Sequence, residues 1–498
     1  MKIQIINNKP LLLLFSSLLM GIAQYPFSIN VGFIAWFALI PLISIIYNEK
    51  KIKKTLTYSF IWGFLYHVFV VFWLSQNIGT SRASAFISMI LAVLVLCLNT
   101  ILIVFIWHRI KKYNKDIGLF LFPFIWASVE YIRSYGILGF PWVSVANTQL
   151  DFKYLIQSVE FTGIYGISFW VVLINILIYD FFNKRIIKRI YFLLIFILPW
   201  VLGYYLYNQV ENHIIENHKV SIIQPNINLF SKRDYSKRFE NMNNLIERSK
   251  RYIASGSDLI IWPESALPYN NIQNKNTMEY IQKNLLEDND TFVLTGNVMY
   301  EKNNHYNSSV LINNKGIQKV YNKRQLVPVA EYVPLSSFFP SLKEFNFGQA
   351  NFSKGQKDIL FDVNDVKFSS LICFESTFPN INRRHAKMGA DYFVYLVNDG
   401  WYTGPPEPEQ HMKQSIYRAI ENRKTVIRCA NTGISAIINP NGEIKDFLDL
   451  NTNGEITTFI EKTNGSTFYT VYGNVFAIIT LLITMAFYLK TFYDEKTT

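Results

Sequence analysis

Three apolar runs in this chain end on residues that together can attack a carbonyl. Asp258-Leu259-Ile260-Ile261-Trp262-Pro263 runs into Glu264, the hairpin-like segment closing on Tyr321-Asn322 leads to Lys323, and Ser369-Ser370-Leu371-Ile372 stops on Cys373. A carboxylate to take the thiol proton, a thiolate to attack and a fixed cation for the oxyanion form the set that covalent acyl chemistry needs. A thiol with an ordinary pKa of about 8.5 is weakly ionised at neutral pH, so the base and the cation are requirements. Singly, each residue has a plainer reading: a cysteine in an apolar strand packs as a small hydrophobe, and a lone acid or lysine is a solvated charge. What singles these three out is their joint appearance at the ends of strand-like runs, where open α/β sheets place their ligand sites.

In chain order, Trp262-Pro263-Glu264, then Lys323 with Leu326-Val327-Pro328 and Glu331-Tyr332-Val333-Pro334, then Ile372-Cys373-Phe374-Glu375 resemble the Glu-Lys-Cys signature of the nitrilase superfamily. More narrowly they resemble the membrane-bound apolipoprotein N-acyltransferases of bacteria, with further matches at Tyr306-Asn307-Ser308, Asn398-Asp399-Gly400-Trp401, Arg418-Ala419-Ile420-Glu421-Asn422-Arg423 and Ala430-Asn431-Thr432-Gly433-Ile434-Ser435. The resemblance covers nearly the whole chain. It implies a ping-pong transfer in which Cys373 takes a fatty acyl chain from a phospholipid as a thioester and passes it to the N-terminal amine of a diacylated apolipoprotein. Glu264 would serve as base and then acid, and Lys323 with the backbone N–H of Phe374 would hold the oxyanion. Glu331 and Glu375 would orient Lys323 or tune its charge, Trp401 and Tyr402 would line the acyl path, and Trp142 in Gly139-Phe140-Pro141-Trp142 would help to admit lipid. No metal and no other cofactor enters this scheme, and the protein is expected to be a monomer. One segment departs from the family: where an arginine commonly precedes Tyr-Gly and an acid follows it, this chain reads Tyr469-Thr470-Val471-Tyr472-Gly473-Asn474.

Composition bounds the answer separately. The chain has 498 residues, 50% of them hydrophobic and only 17% charged, which is apolar for a soluble protein. A net charge of +12 would suit nucleic acid only if the basic residues clustered on a folded face, and here they cluster between apolar spans, so no nucleic-acid partner is expected. Cys97, Cys373 and Cys429 are an odd set without CxxC spacing, which indicates neither a disulfide framework nor a zinc site. Cys97 and Cys429 are expected in the core.

The first 207 residues hold seven apolar stretches, near 10–25, 31–47, 56–76, 85–107, 117–135, 160–181 and 190–207, and an eighth runs from Val475 to Leu489. Most are long enough for about 30 Å of hydrocarbon. Residues 2–25 also resemble a signal peptide, though retention is expected. Lys50, Lys51, Lys53 and Lys54, then Arg109, Lys111, Lys112 and Lys115, then Lys184, Arg185, Lys188 and Arg189 fill alternate loops, while the loops between hold only Arg82 and Lys153. The positive-inside rule puts the rich loops in the cytoplasm. Residues 208–467 then lie outside, which in a Gram-negative cell is the periplasm, with 1–207 and 468–498 as the membrane parts of an inner-membrane protein. Glu130 and Arg133, three apart near the outer end of the fifth span, are spaced to pair.

The outer segment alternates strands (220–223, 258–262, 291–299, 367–373, 391–397, 426–430) with helices (235–253, 276–287, 381–388, 410–424), and Asn441-Gly442 signals a two-residue hairpin. Such a pattern means layered sheets covered by helices. The family resemblance implies the four-layer αββα sandwich of nitrilases joined to a polytopic helical membrane bundle. Two other readings compete: a membrane-tethered nitrilase that hydrolyses a small amide or nitrile, and a transporter with an extracytoplasmic sensor domain, which should carry ionisable residues at mid-depth.

Overall fold

The computed structural model describes all residues except 1–7, 184–185, 335–349, 403 and 498; Lys184 and Arg185 of the third basic loop therefore lie outside the described residues. The chain divides into two units, one comprising Met1–Gln76, Ser81–Gln209 and Tyr472–Thr498, the other Asn77–Thr80 with Val210–Val471.

The first unit is helical. Among the described residues, five helices are long and apolar enough to cross a bilayer: Ile52–Gln76, Arg82–Tyr113, Ile164–Asn183, Arg189–Asn208 and Val475–Tyr493. Lys9–Gln24 and Gly32–Asn48 are apolar but shorter. The fifth expected stretch is the helix Lys115–Arg133, which contains Pro123 and carries four charged residues at its ends, Lys115, Asp116, Glu130 and Arg133. Leu98, Leu198 and Leu482 expose 63%, 63% and 59% of their surface, as side chains that face hydrocarbon do.

Glu130 is buried, and its neighbours explain why it is tolerated. Its Oε1 accepts from Trp126 Nε1 at 3.0 Å and from the backbone N–H of Val145 at 2.9 Å, and its Oε2 accepts from Ser168 Oγ at 2.5 Å. Arg133 lies 3.7 Å away and also donates to Ser144. The acid thus fastens the loop after Arg133 to two helices, which answers the transporter reading: both oxygens are bonded within the fold. Trp142 in that loop is buried, its ring centroid lies 5.0 Å from that of Trp73, and its carbonyl accepts from Gln24 and Asn147.

The second unit contains two six-stranded sheets. The strands are β1 (Asn212–Gln224), β2 (Leu259–Ile261), β3 (Phe292–Glu301), β4 (Asn304–Asn313), β5 (Gly316–Asn322), β6 (Leu360–Val363), β7 (Val366–Ile372), β8 (Tyr392–Val397), β9 (Thr425–Ala430), β10 (Ser435–Ile438), β11 (Ile444–Leu448) and β12 (Gly454–Thr463). One sheet has the order β12-β1-β2-β3-β4-β5 and the other β11-β10-β9-β8-β7-β6. Both share one plan, three parallel strands (β1-β2-β3 and β7-β8-β9) flanked by antiparallel ones. Of the parallel strands, β2, β8 and β9 are buried along their length, and β2 and β8 read as continuous Val, Ile, Leu and aromatic runs, as strands covered on both faces must.

Where the inner faces meet, polar atoms are paired across the gap: Ser309 Oγ with Ser370 Oγ at 2.6 Å, His218 Nε2 with Tyr392 OH at 2.8 Å, and Ser435 Oγ with Gln224 Oε1 at 2.6 Å. The helix Arg238–Ala254 turns Met242, Leu245, Ile246 and Ser249 inward at three- and four-residue spacing, and Ser249 accepts from Trp262 Nε1 at 3.0 Å. Cys97 and Cys429 are buried as expected, the latter with its sulfur 3.4 Å from the Ile261 carbonyl. Two strands have no counterpart in the sequence-based expectation. β12 is half exposed and lacks an apolar run, and β6 is a four-residue edge paired to β7 through a turn in which Asn364 and Asp365 both have positive φ.

Candidate active site

Cys373 comes directly after the last residue of β7 and opens a tight turn, Cys373–Thr377. Its φ is +51°, a left-handed conformation that is costly for a residue with a Cβ and persists only where the surroundings enforce it. The enforcement is visible. Ser376 Oγ donates to the Cys373 carbonyl at 2.8 Å, Thr377 Oγ1 donates to that of Phe374 at 2.8 Å, and the N–H of Ile372 donates to Glu375 Oε2 at 2.9 Å. Burial, and after it the charge of Glu264, push the thiol well above its ordinary pKa, with Lys323 pulling the other way. The resting sulfur is therefore protonated and needs a base.

Glu264 comes from the turn after β2. Asn307 Nδ2 donates to its Oε1 at 2.7 Å, Lys323 Nζ lies 3.8 Å from the same oxygen, and Oε2 has no hydrogen-bond partner among the described residues. Burial is the main influence on its pKa and raises it, with Lys323 opposing and Glu331 adding to the rise. The neighbouring strand allows this turn to sit close because position 296 is glycine: a Cβ there would meet the Glu264 Cα at 2.6 Å.

Lys323 leaves β5 directly. Its backbone N–H donates to the Asn307 carbonyl at 2.8 Å, a bond that sets the lysine beside the Asn307 amide, and its Nζ donates to Glu331 Oε1 at 2.9 Å. Burial disfavours the ammonium, yet Glu331 and Glu264 outweigh it and hold the Lys323 pKa well above its usual value. Asn307 Nδ2 also donates to Glu331 Oε1 at 2.9 Å, so one amide bridges both carboxylates around the cation. Glu331 is fixed in turn by the N–H of Val327, which donates to its Oε2 at 2.8 Å.

Glu375 accepts from the backbone beside Lys323 and not from its ammonium. Its oxygens are taken up by other donors than Lys323. Oε1 accepts from Tyr321 OH at 2.8 Å, Arg324 N–H at 2.8 Å and Gln325 N–H at 3.0 Å, while Oε2 accepts from Ile372 N–H. It therefore ties the exit of β5 to the end of β7, positioning the backbone that carries Lys323 and Cys373. Phe374 is buried, its ring edge-on to Phe378. Trp401 and Tyr402 come after β8; the Trp401 carbonyl accepts from Ile78 N–H at 2.9 Å, and the Arg233 guanidinium lies 5.8 Å from the Trp401 ring centroid. Trp142 belongs to the helical unit.

Other groups at the site were given no role from sequence. Lys232 is buried, donates to the Glu264 carbonyl at 3.3 Å, and burial depresses its pKa to about 7. Asp399 accepts from Arg428 Nη2 at 2.7 Å and pairs with His411 Nδ1 at 2.9 Å; His411 Nε2 lies 3.2 Å from the Cys373 carbonyl and 3.0 Å from Ser376 Oγ. Burial opposes ionisation of Asp399, but Arg428 and then His411 outweigh it and keep its pKa low. Glu407 lies 3.7 Å from His411. Cys373, Asp399 and His411 offer ligand atoms within 4.8 Å of one another. Both Asp399 oxygens are already engaged, one by an arginine whose charge opposes a dication.

Two six-stranded sheets with a thiol, a lysine and a carboxylate brought together beyond the ends of β7, β5 and β2 define the catalytic domain of a carbon-nitrogen hydrolase, and residues 219–464 match the family model of that description. Residues 16–177 match the apolipoprotein N-acyltransferase N-terminal domain. The apolipoprotein N-acyltransferase of Geobacter metallireducens is 30% identical over 466 residues, covering 89% of this chain and 88% of its own, and that of Rickettsia prowazekii is 29% identical over 96% and 98%. A solved amidase from Nesterenkonia sp. is 16% identical, covering 51% of this chain and 93% of its own with a TM-score of 0.37. The chain belongs to the apolipoprotein N-acyltransferase family.

Proposed function

We propose that the chain N-acylates diacylated apolipoproteins by a ping-pong mechanism through a thioester on Cys373. Glu264 takes the thiol proton, the thiolate attacks an ester carbonyl of a membrane phospholipid, and Lys323 with the Phe374 N–H faces the oxyanion. Glu264 then gives its proton to the leaving alcohol. The N-terminal amine of the diacylglyceryl-cysteine discharges the thioester, with Glu264 again accepting a proton. Glu331 and Asn307 position Lys323 and Glu264, Glu375 positions the two strand ends, and Trp401, Tyr402 and Trp142 serve lipid access. The protein works as a monomer in the bacterial inner membrane with residues 208–467 in the periplasm.

The observation that carries this reading is the buried Lys323 ammonium, held 2.9 Å from Glu331 and 3.8 Å from Glu264 at the strand ends that also bear the strained Cys373. The test is intact-mass analysis of purified protein incubated with phosphatidylglycerol alone. An acyl adduct should form on the wild type and be absent from Cys373→Ser, while Cys429→Ser keeps it; a diacylated lipopeptide with a free amine should discharge it, and an N-acetylated one should not. Continuous release of fatty acid without acceptor would make the protein a hydrolase.

A further inference from the structure

Glu407 begins the helix Glu407–Asn422, and its side chain is 5% exposed. Nothing in the mechanism above uses it. Its Oε1 is 3.7 Å from His411 Nδ1, beyond hydrogen-bond length, and its Oε2 has no hydrogen-bond partner among the described residues. An acid in the first turn of a helix ordinarily answers the free N–H groups there or faces water. The Oε2 of Glu407 does neither, and a buried polar atom left unmatched is costly unless a ligand completes it.

The surroundings select the charge of that ligand. Asp399 is already matched by Arg428 and His411, and Lys323 by Glu331 and Glu264. Burial and then Arg428 lower the pKa of His411, so the imidazole favours its neutral form. The carboxyl left over is Glu407, and its complement is a cation with N–H donors. Glu407 Oε1 lies 3.7 Å from His411 Nδ1, and His411 in turn has a ring nitrogen within 4.8 Å of the Cys373 sulfur, so the carboxyl stands one side chain away from where an acyl group on the sulfur would be attacked.

We infer that Glu407 receives the protonated amine of the acyl acceptor and takes its first proton, an inference that rests on the acyl-transfer reading above. An α-ammonium, with a pKa of about 7.7, cannot attack until it loses a proton. That proton passes to the Glu407 carboxylate, and the freed nitrogen lone pair attacks the thioester carbonyl. The C–N bond forms as the C=O pair moves onto oxygen facing Lys323; collapse breaks the C–S bond and releases the Cys373 thiolate. The second nitrogen proton goes to Glu264 and on to the sulfur, and the first leaves Glu407 for solvent. Ammonium and thioester thus give amide, thiol and one proton. Burial, then Asp399, raise the Glu407 pKa well above the carboxylate range while Arg428 opposes, and Glu409 adds to the rise; the carboxyl therefore ionises as the ammonium docks against it, and once ionised it is basic enough to take the ammonium proton. The groups facing it are Asp399, Arg428, His411, Glu409, Tyr402 and Cys373.

The experiment compares wild type and Glu407→Gln, full-length and purified, loaded with phosphatidylglycerol and discharged with a diacylated lipopeptide bearing a free amine. The variant should still acquire the acyl adduct, and its discharge should be slower by roughly 100-fold near neutral pH, the scale of a lost general base. The deficit should shrink as rising pH frees the amine. Hydroxylamine, already uncharged near neutral pH, should discharge both acyl-enzymes alike. Discharge of the variant by the lipopeptide at the wild-type rate, loss of the adduct, or a deficit equal at every pH and with hydroxylamine would each overturn the inference. Should Glu407→Gln not fold, Glu407→Asp is measured instead; its discharge must keep a wild-type-shaped pH profile, and a pH-independent defect refutes the role. A wild type that forms no adduct overturns the acyl-transfer reading itself.

Discussion

Asn307 holds two carboxylates around one lysine with a single amide nitrogen, and the chemistry of the site depends on that arrangement. In the proposed mechanism Glu264 must be ionised to receive the thiol proton. Burial, ahead of the opposing Lys323, raises its pKa. Acyl-enzyme formation should therefore fall as pH drops through that raised value, which places the acid limb above the ordinary glutamate pKa of about 4.3. Asn307→Leu preserves size and removes a hydrogen bond to a charged group, an interaction of about 1.5–3 kcal/mol. Its loss disfavours the carboxylate, so the acid limb should move up by about one to two units, with acylation slower by roughly 10-fold or more on the acid side of that limb. The burst of lysophospholipid measured across pH reads both, and an unmoved limb would show that the amide does not govern Glu264.

At the scale of elements, Glu375 is the fastener between the exit of β5 and the end of β7. Its two oxygens accept from four donors, three of them backbone N–H groups. In Glu375→Gln the side-chain NH2 must face a donor whichever way it is turned. The expected cost is about 3 kcal/mol of stability, from a buried donor left without an acceptor and the lost charge-assisted bonds. Thermal unfolding of the solubilised protein should show it together with slower acylation, because both Lys323 and Cys373 hang from the joined segments. A variant with wild-type stability and rate would mean that other contacts hold the strand ends. Arg383 fastens another segment, donating to the carbonyls of Tyr469 at 2.9 Å and Val471 at 3.0 Å.

For the whole molecule, orientation in the membrane is argued from the basic loops. Lys50, Lys51, Lys53 and Lys54 and the Arg109–Lys115 segment lie on one side by the positive-inside rule. Lys111 also has a structural role, donating to the carbonyls of Ile46, Tyr47 and Glu49 at 2.6, 3.2 and 2.9 Å and so completing the end of the helix Ile40–Asn48. A reporter active only in the cytoplasm, inserted at Asn304 in the turn between β3 and β4, should be silent. Activity there would put the catalytic unit on the cytoplasmic side and remove it from diacylated lipoproteins.

Much of this was legible in the chain because it is encoded locally. Apolar runs ending on Glu264 and Cys373 mark buried strands and the turns beyond them, since a strand covered on both faces must be apolar throughout. The Asn441-Gly442 turn is legible for a similar reason: the positive φ of +88° at Gly442 suits a glycine. β12, the first half of β1 and β6 carry no such mark, because edge and partly exposed strands are chosen by their neighbours' hydrogen bonds. The roles of polar side chains were the least legible. Glu331 and Glu375 are both acids near the motif, yet Glu331 is the one that reaches Lys323, and which of them does so depends on how turns distant in sequence approach. Asn307 stood in the matched segment Tyr306-Asn307-Ser308 without a role and Glu407 without any mark; β4 gives the first its place between the carboxylates, and the helix after β8 brings the second beside His411. The types and order of the proposed reacting groups were set by sequence alone; their charges, partners and unfilled valences were decided by burial and by contacts between segments far apart in the chain, such as those bearing Glu264 and Cys373.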